Sequence, residues 1–299
     1  MKTATPRLAL FIGIAAVSSG SIFARFAQAD APSLAVAAFR LSLATLFLLP
    51  AAWRRHRKEL LGLKAGDWRW LLASGLFLAV HFATWITSLE YTSVASSVAL
   101  VSTSPLWVAL FAWIIWREPM TPRLSLGLAL AMAGSIVISF AESRSAISAR
   151  PFLGNTLALA GAVAVSGYWL IGRRMRRGLS LIPYVTVVYG AAALALLAAA
   201  LLFRQRLSGF RASTYGWFLL LALLPQLLGH SSFNWALGHL PASYVAVATL
   251  GEPVGAALLA FFILGETPSW LKISAAALIL AGIYLALTRR QGGEAGSQA

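Results

Sequence analysis

Apolar stretches of about 20 residues, the length a helix needs to cross a bilayer, follow one another along the whole chain with only short polar connections between them. Ten can be placed, at roughly 8–27, 32–53, 68–89, 94–116, 122–140, 152–172, 181–203, 213–237, 242–264 and 268–288. A helix that is hydrophobic all round belongs in hydrocarbon rather than at a water-facing surface. Only 11% of the residues are charged, against about 25% in an average soluble domain. The sequence therefore predicts an all-α integral membrane protein with ten transmembrane helices. The connections leave no room for a soluble domain, and the polar, glycine-rich segment after Arg290 reads as a disordered tail.

The net charge of +15 would suggest nucleic acid as a partner in a soluble chain, but here the basic residues fall in short runs between spans. With the N-terminus taken as cytoplasmic, fifteen Lys and Arg residues lie on the cytoplasmic side, including Arg54, Arg55, Arg57, Lys58 and the run Arg173, Arg174, Arg176, Arg177; five lie opposite, at Arg144, Arg150, Arg204, Arg206 and Arg211. The positive-inside bias puts both termini in the cytoplasm. Topology accounts for the charge, so nucleic acid drops out. A competing reading takes Lys2, Arg7, the first apolar stretch and Ala27-Gln28-Ala29 as a cleavable signal peptide. Removing that segment would leave nine spans and break the internal repeat.

The repeat has a shift of 148 residues, which carries Pro105 onto Pro253, Glu118 onto Glu266 and Gly134 onto Gly282. It superposes spans 4 and 5 on spans 9 and 10. Span 1 maps onto span 6, with Val17-Ser18-Ser19-Gly20 facing Ala164-Val165-Ser166-Gly167 to within one residue. Five spans per copy is an odd number, so the second copy enters the membrane from the opposite side. The expected organisation is a cytoplasmic N-terminus (1–7), a first five-helix repeat (8–140), an external loop (141–151), an inverted second repeat (152–288) and a cytoplasmic tail (289–299). Inverted repeats can exchange conformations, opening a site between them alternately to either side.

This duplicated pattern resembles the EamA domain of the drug/metabolite transporter superfamily. The matching residues are Leu89-Glu90-Tyr91-Thr92-Ser93-Val94-Ala95, Pro105, Glu118 and Gly134, and in the second copy Leu237, Ala242-Ser243, Glu252-Pro253, Glu266 and Gly282. The resemblance covers residues 8–288. It implies ten helices in two inverted halves, a central cavity lined mainly by helices 1–4 and 6–9, and export of small metabolites across a cell inner membrane. Within the superfamily the chain is most similar to YddG-type aromatic amino-acid exporters.

Helical spacing sorts the polar residues onto faces independently of that resemblance. Span 3 aligns Ser74, His81, Trp85 and Ser88; span 4 aligns Ser93, Ser96, Ser97, Ser104 and Trp107; span 8 aligns Gln226, His230, Phe233 and Asn234. Span 9 offers Tyr244, Gly251 and Gly255 with Glu252 at the edge, and spans 1 and 6 add Ser18, Ser21, Ser166 and Trp169. Aromatic rings beside hydrogen-bonding groups suit a ligand with an apolar body and a polar head. The substrate-binding candidates are His81, Trp85, Ser97, Ser104, Trp107, Ser166, Trp169, His230, Asn234 and Tyr244. The competing reading is that serines and asparagine join helices and that a neutral histidine is satisfied by one carbonyl. Trp53, Trp68, Trp70, Trp113 and Trp116 read as an interfacial belt.

Charge in hydrocarbon is expensive, which singles out Glu252 and Arg40, well inside spans 9 and 2. They could pair with each other, bind the amino or carboxylate group of a zwitterion, or couple transport to protons. Pro105 and Pro253, near mid-span, read as hinges or as packing kinks. Glu118 and Glu266, just past their spans, read as interfacial caps or gate contacts. A serine hydrolase built on Ser166 with His81 or His230 is the enzyme alternative, but no G-x-S-x-G, H-E-x-x-H or Walker sequence supports it. A channel or helix-packing subunit is the other alternative, with Gly251-x-x-x-Gly255 as a possible dimer contact. No cofactor or metal is expected, and the carrier is read as a monomer or homodimer that meets only lipid and a small-molecule substrate.

Overall fold

The computed structural model describes residues 4–92, 94–117, 120–142, 150–264 and 270–287, and within them the chain is all helical. Ser93, Glu118, Glu266 and the tail 289–299 lie outside the described residues, as do the side chains of Ser96 and Trp116. The helices are α1 (Ala4–Val17), α2 (Gly20–Gln28), α3 (Ser33–Leu61), α4 (Ala65–Tyr91), α5 (Val94–Val101), α6 (Ser104–Trp116) and α7 (Pro122–Glu142). There follow α8 (Pro151–Met175), α9 (Leu181–Leu202), α10 (Ala212–Leu221), a π-helical segment (Ala222–His230), α11 (Ser231–Leu237), α12 (Ala242–Thr249), α13 (Glu252–Leu264) and α14 (Trp270–Leu287).

Six helical stretches are long and apolar enough to cross a membrane: Thr5–Gln28, Ser33–Leu61, Ala65–Tyr91, Pro151–Met175, Leu181–Leu202 and Ala212–Leu237. Shorter apolar helices, among them Ser104–Ile115 and Ile273–Ala286, complete the bundle. Large apolar side chains such as Phe11, Leu194, Leu202 and Phe152 stand on its outer surface. In water such a surface would drive aggregation; facing lipid it meets a matching solvent. Trp53, Trp68, Trp70 and Trp113 are exposed on that surface too, as interfacial belt residues would be.

Spans 4 and 9, read above as single helices, are each two helices separated by a two-residue break, at Ser102-Thr103 and at Leu250-Gly251. Proline explains both. Pro105 and Pro253 have no N–H to donate to the carbonyls four residues back, Val101 and Thr249, and those are the last residues of α5 and α12. Each proline thus sits in the first turn of a new helix, where a missing N–H costs nothing. Pro225 has the same effect on Leu221, the last residue of α10, but here the chain continues in wider π turns as far as His230. The first span is also broken, at Ser18-Ser19, where the serine hydroxyls turn back onto Ile14 O (2.7 Å) and Ala16 O (2.8 Å). Such back-bonding bends helices.

The element boundaries recur at the shift of 148: α5 onto α12, α6 onto α13, and the start of α7 onto the start of α14. The main packing pairs are α3 with α9, α4 with α8, α7 with α14, and α1 with the π segment and α11. Between α7 and α14 the backbones nearly touch. A methyl on Gly127 would lie 2.6 Å from Gly282 O, and one on Gly134 would lie 2.7 Å from Ala275 O. As α7 advances from 127 to 134, its contact on α14 retreats from 282 to 275, so the two helices run antiparallel. The register of α3 against α9 is likewise antiparallel: Thr45 faces Gly190, while Glu59 accepts from Ser180 N at 2.6 Å. Small residues permit this approach, since association in lipid relies on close packing.

Candidate functional site

The three breaks and the π segment converge on one cavity. Its wall takes Val17 and Gly20 from the α1–α2 break, Val101, Ser102 and Ser104 from the α5–α6 break, and Thr249 and Glu252 from the α12–α13 break. Arg40 of α3, His81 and Trp85 of α4, Val165 and Trp169 of α8, and Pro225, His230 and Phe233 complete it. Irregular backbone at membrane depth is tolerated where it lines such a space. The space open to water centres is about 40 Å³, and one water needs roughly 10–15 Å³ on that measure. On that measure the cavity has room for a few waters, well short of the volume of a drug-sized solute.

Two of its polar side chains are oriented by hydrogen bonds. His81 donates through Nδ1 to Gly161 O (3.0 Å), and the ring stacks on Trp85 at 5.9 Å with 4° between planes. The His230 ring lies 6.4 Å from that of His81 and 5.3 Å from that of Phe82. Arg40, 1% exposed, donates through Nε to Gln226 Oε1 (2.8 Å) and lies 4.1 Å over the Phe82 ring. It forms no salt bridge among the described residues. Glu252 is half-buried in the first turn of α13, a position where a carboxylate is favoured by the helix dipole.

Of the ten substrate-binding candidates, His81, Trp85, Ser104, Trp169 and His230 line this cavity, as do Arg40 and Glu252. The other five do not. Ser97 is bonded to Ser88 at 2.6 Å. Ser166 donates to Ala162 O (2.7 Å) and Ser104 O (3.0 Å), so its hydroxyl joins helices. Trp107 donates to Thr103 Oγ1 (3.3 Å) and packs on Phe111. Asn234 spends its amide on His230 O and on the hydroxyls of Tyr168 and Tyr189. Tyr244 is half-buried away from the cavity. Sequence reasoning passed over Gly20, Ser102, Pro225 and Thr249 as wall residues. The Ser18-Ser19-Gly20 triplet and the mid-span proline were the available signals.

Both ends of the bundle are tied. At one end Asp30, in the α2–α3 turn, accepts from Arg211 N (2.8 Å) and Thr214 Oγ1 (2.9 Å) and pairs with Arg206 at 2.9 Å. The Arg211 N–H, then the Thr214 hydroxyl and the Arg206 guanidinium hold its carboxyl at about 2, against an ordinary 3.8. At the other end Glu59 caps Ser180 N, and Arg173 and Arg176 donate to Leu237 O and Asn234 O, both at 3.0 Å.

The model of the EamA-like transporter family matches residues 6–140 and again 152–288. An uncharacterized transporter of Archaeoglobus fulgidus is 24% identical over 276 residues, 90% of this chain and 92% of its own length. The uncharacterized transporter YwfM of Bacillus subtilis is 27% identical over 288 residues, 92% of each chain. A solved crystal structure superposes with a TM-score of 0.77 over 95% of this chain and 96% of its own, at 21% identity, a likeness of fold alone.

Proposed function

The chain belongs to the EamA-like transporter family and is a multi-pass membrane transporter, and from that premise we propose that it exports small metabolites from the cytoplasm by alternating access, above all amino acids with aromatic or bulky apolar side chains. The observation that carries this reading is the small central cavity built where three helices break, with Trp85, Trp169 and Phe233 around a charged and imidazole-bearing wall. Rings suit the apolar body of such a solute, and Arg40 and Glu252 suit its zwitterionic head.

Ten helices in two inverted halves, 8–140 and 152–288, account for the repeated element boundaries and for the antiparallel packing of the equivalent helices α7 and α14. The packing of α4 on α8 has its counterpart in that of the first span on the eighth, which is one contact with the halves exchanged. Rocking one half against the other would then open the cavity to either side, with Pro105 and Pro253 as hinges. The excess of Lys and Arg in alternate connections supports a topology with residues 1–7 and 289–299 in the cytoplasm and 141–151 outside. Glu252 is the coupling candidate if protons are exchanged.

Counterflow in proteoliposomes loaded with unlabelled phenylalanine, following entry of trace labelled phenylalanine, tests the reading. A transient overshoot suppressed by tryptophan but not by alanine is expected. A channel would equilibrate without overshoot. An overshoot only with other solutes would overturn the substrate assignment and leave the transporter.

A further inference from the structure

Arginine buried at membrane depth is ordinarily paired or hydrogen-bonded throughout. Arg40 is 1% exposed, and its Nη1 has no acceptor among the described residues. A methyl on Gly20 would lie 3.9 Å from that nitrogen, so it faces the cavity wall at the α1–α2 break. Its orientation is set from two other sides, by the Nε bond to Gln226 Oε1 and by the Phe82 face beneath the guanidinium. Other buried groups without a partner among the described residues include Trp85 Nε1, Trp169 Nε1, Gln226 Nε2 and the ring nitrogen His230 Nδ1. The arginine, indole and amide groups are N–H donors, and Arg40, Trp85, Trp169 and His230 line the same cavity. Buried donors without acceptors are rare in folded proteins, and several in one small space call for a ligand rich in acceptor oxygens.

We propose that this pole is a carboxylate-binding subsite, with Arg40 as its anchor and Gln226 as the positioning residue that holds the guanidinium edge toward the cavity. The inference rests on the reading of the cavity as the transport site. A carboxylate takes the two-pronged geometry that a guanidinium edge offers, and the indole N–H groups can supply single bonds to its remaining lone pairs. Glu252 closes the same cavity with acceptor oxygens, so a solute bearing an amine as well as a carboxylate has a partner for each. A solute bearing only a cation would set its charge against Arg40 and leave every donor unpaired. The acid group, more than the side chain, is then the admission requirement.

The test uses the full-length protein in detergent and two matched pairs: 3-phenylpropionate against phenethylamine, and 4-methylpentanoate against isoamylamine, each titrated for thermal protection. Both carboxylates should protect at concentrations lower than their amine partners by about tenfold or more. Equal or stronger protection by the amines overturns the subsite, and a phenyl preference within each class would leave the aromatic reading standing. Carboxylate preference without phenyl preference supports the subsite and removes the aromatic assignment. Failure of all four to protect overturns the subsite outright. Gln226→Glu supplies a permanent carboxylate to Arg40 and should fold with unchanged or higher melting temperature while losing carboxylate protection. Retained carboxylate preference in that variant would overturn the role of Gln226. Gln226→Leu, which frees the guanidinium without competing for it, should weaken carboxylate protection without strengthening that by amines.

Discussion

Glu252 and Asp30 are both acids near helix termini, but only Glu252 lines the cavity. Asp30 accepts from Arg211 N ahead of α10 and from Thr214 within it, whereas Glu252 lines the cavity at the start of α13. Glu252→Gln keeps the shape of that wall and removes its charge. Exchange should fall by about tenfold or more with the melting temperature unchanged; full activity would remove Glu252 from binding and coupling alike. For Asp30 the folded carboxyl titrates at about 2 and an unconstrained one at 3.8. A depressed acid stabilises the fold above its unfolded value and loses that effect as pH falls through the folded one. The melting-temperature gap between the parent and Asp30→Ala should therefore be complete at neutral pH and shrink as pH falls below about 4 toward 2. A gap that does not shrink would contradict this account.

At the scale of elements, proline and glycine have separate tasks. Pro105 and Pro253 end α5 and α12 at Val101 and Thr249 by withholding one bond each. Replacing either with alanine permits a continuous helix, so stability should hold or rise while transport slows. Undiminished transport in the double variant Pro105→Ala/Pro253→Ala would show the breaks to be passive. Gly127 and Gly282 instead set the distance between α7 and α14, each lying under the other's carbonyl. Gly282→Val forces the helices apart, and overpacking of this kind costs about 1–3 kcal/mol. Thermal unfolding in detergent measures it, and an unshifted transition would mean that the helices reseat freely.

For the whole molecule the decisive property is that both ends are tied around a cavity of about 40 Å³. Under the proposed alternating access, opening either side would break one set of ties. The sidedness is directly measurable because the chain has no cysteine. Ser208→Cys, exposed between α9 and α10, should react with an impermeant maleimide on intact cells. Gly66→Cys, exposed in the first turn of α4 with nothing within 4 Å of its new side chain, should react only after permeabilisation. The opposite pattern would invert the topology.

Membrane residence, the long apolar helices and the recurrence of boundaries at 148 residues were legible because they rest on properties each residue carries alone: hydropathy, charge and the missing N–H of proline. The stripe of His81 and Trp85, and the depth of Arg40 and Glu252, were legible because helical period and span position suffice to find them. Which polar residues meet the cavity was not. Ser97, Ser166 and Asn234 occupy suitable faces, yet short hydroxyl and amide groups bond to the nearest carbonyl or hydroxyl, and only the neighbouring helices supply those partners. Trp107 turned to Thr103 for the same reason. Gln226 looked like one polar residue in a stripe until α3 brought Arg40 against it across 186 positions of sequence. Periodicity names the side of a helix a residue stands on; what stands opposite is decided by packing between distant segments.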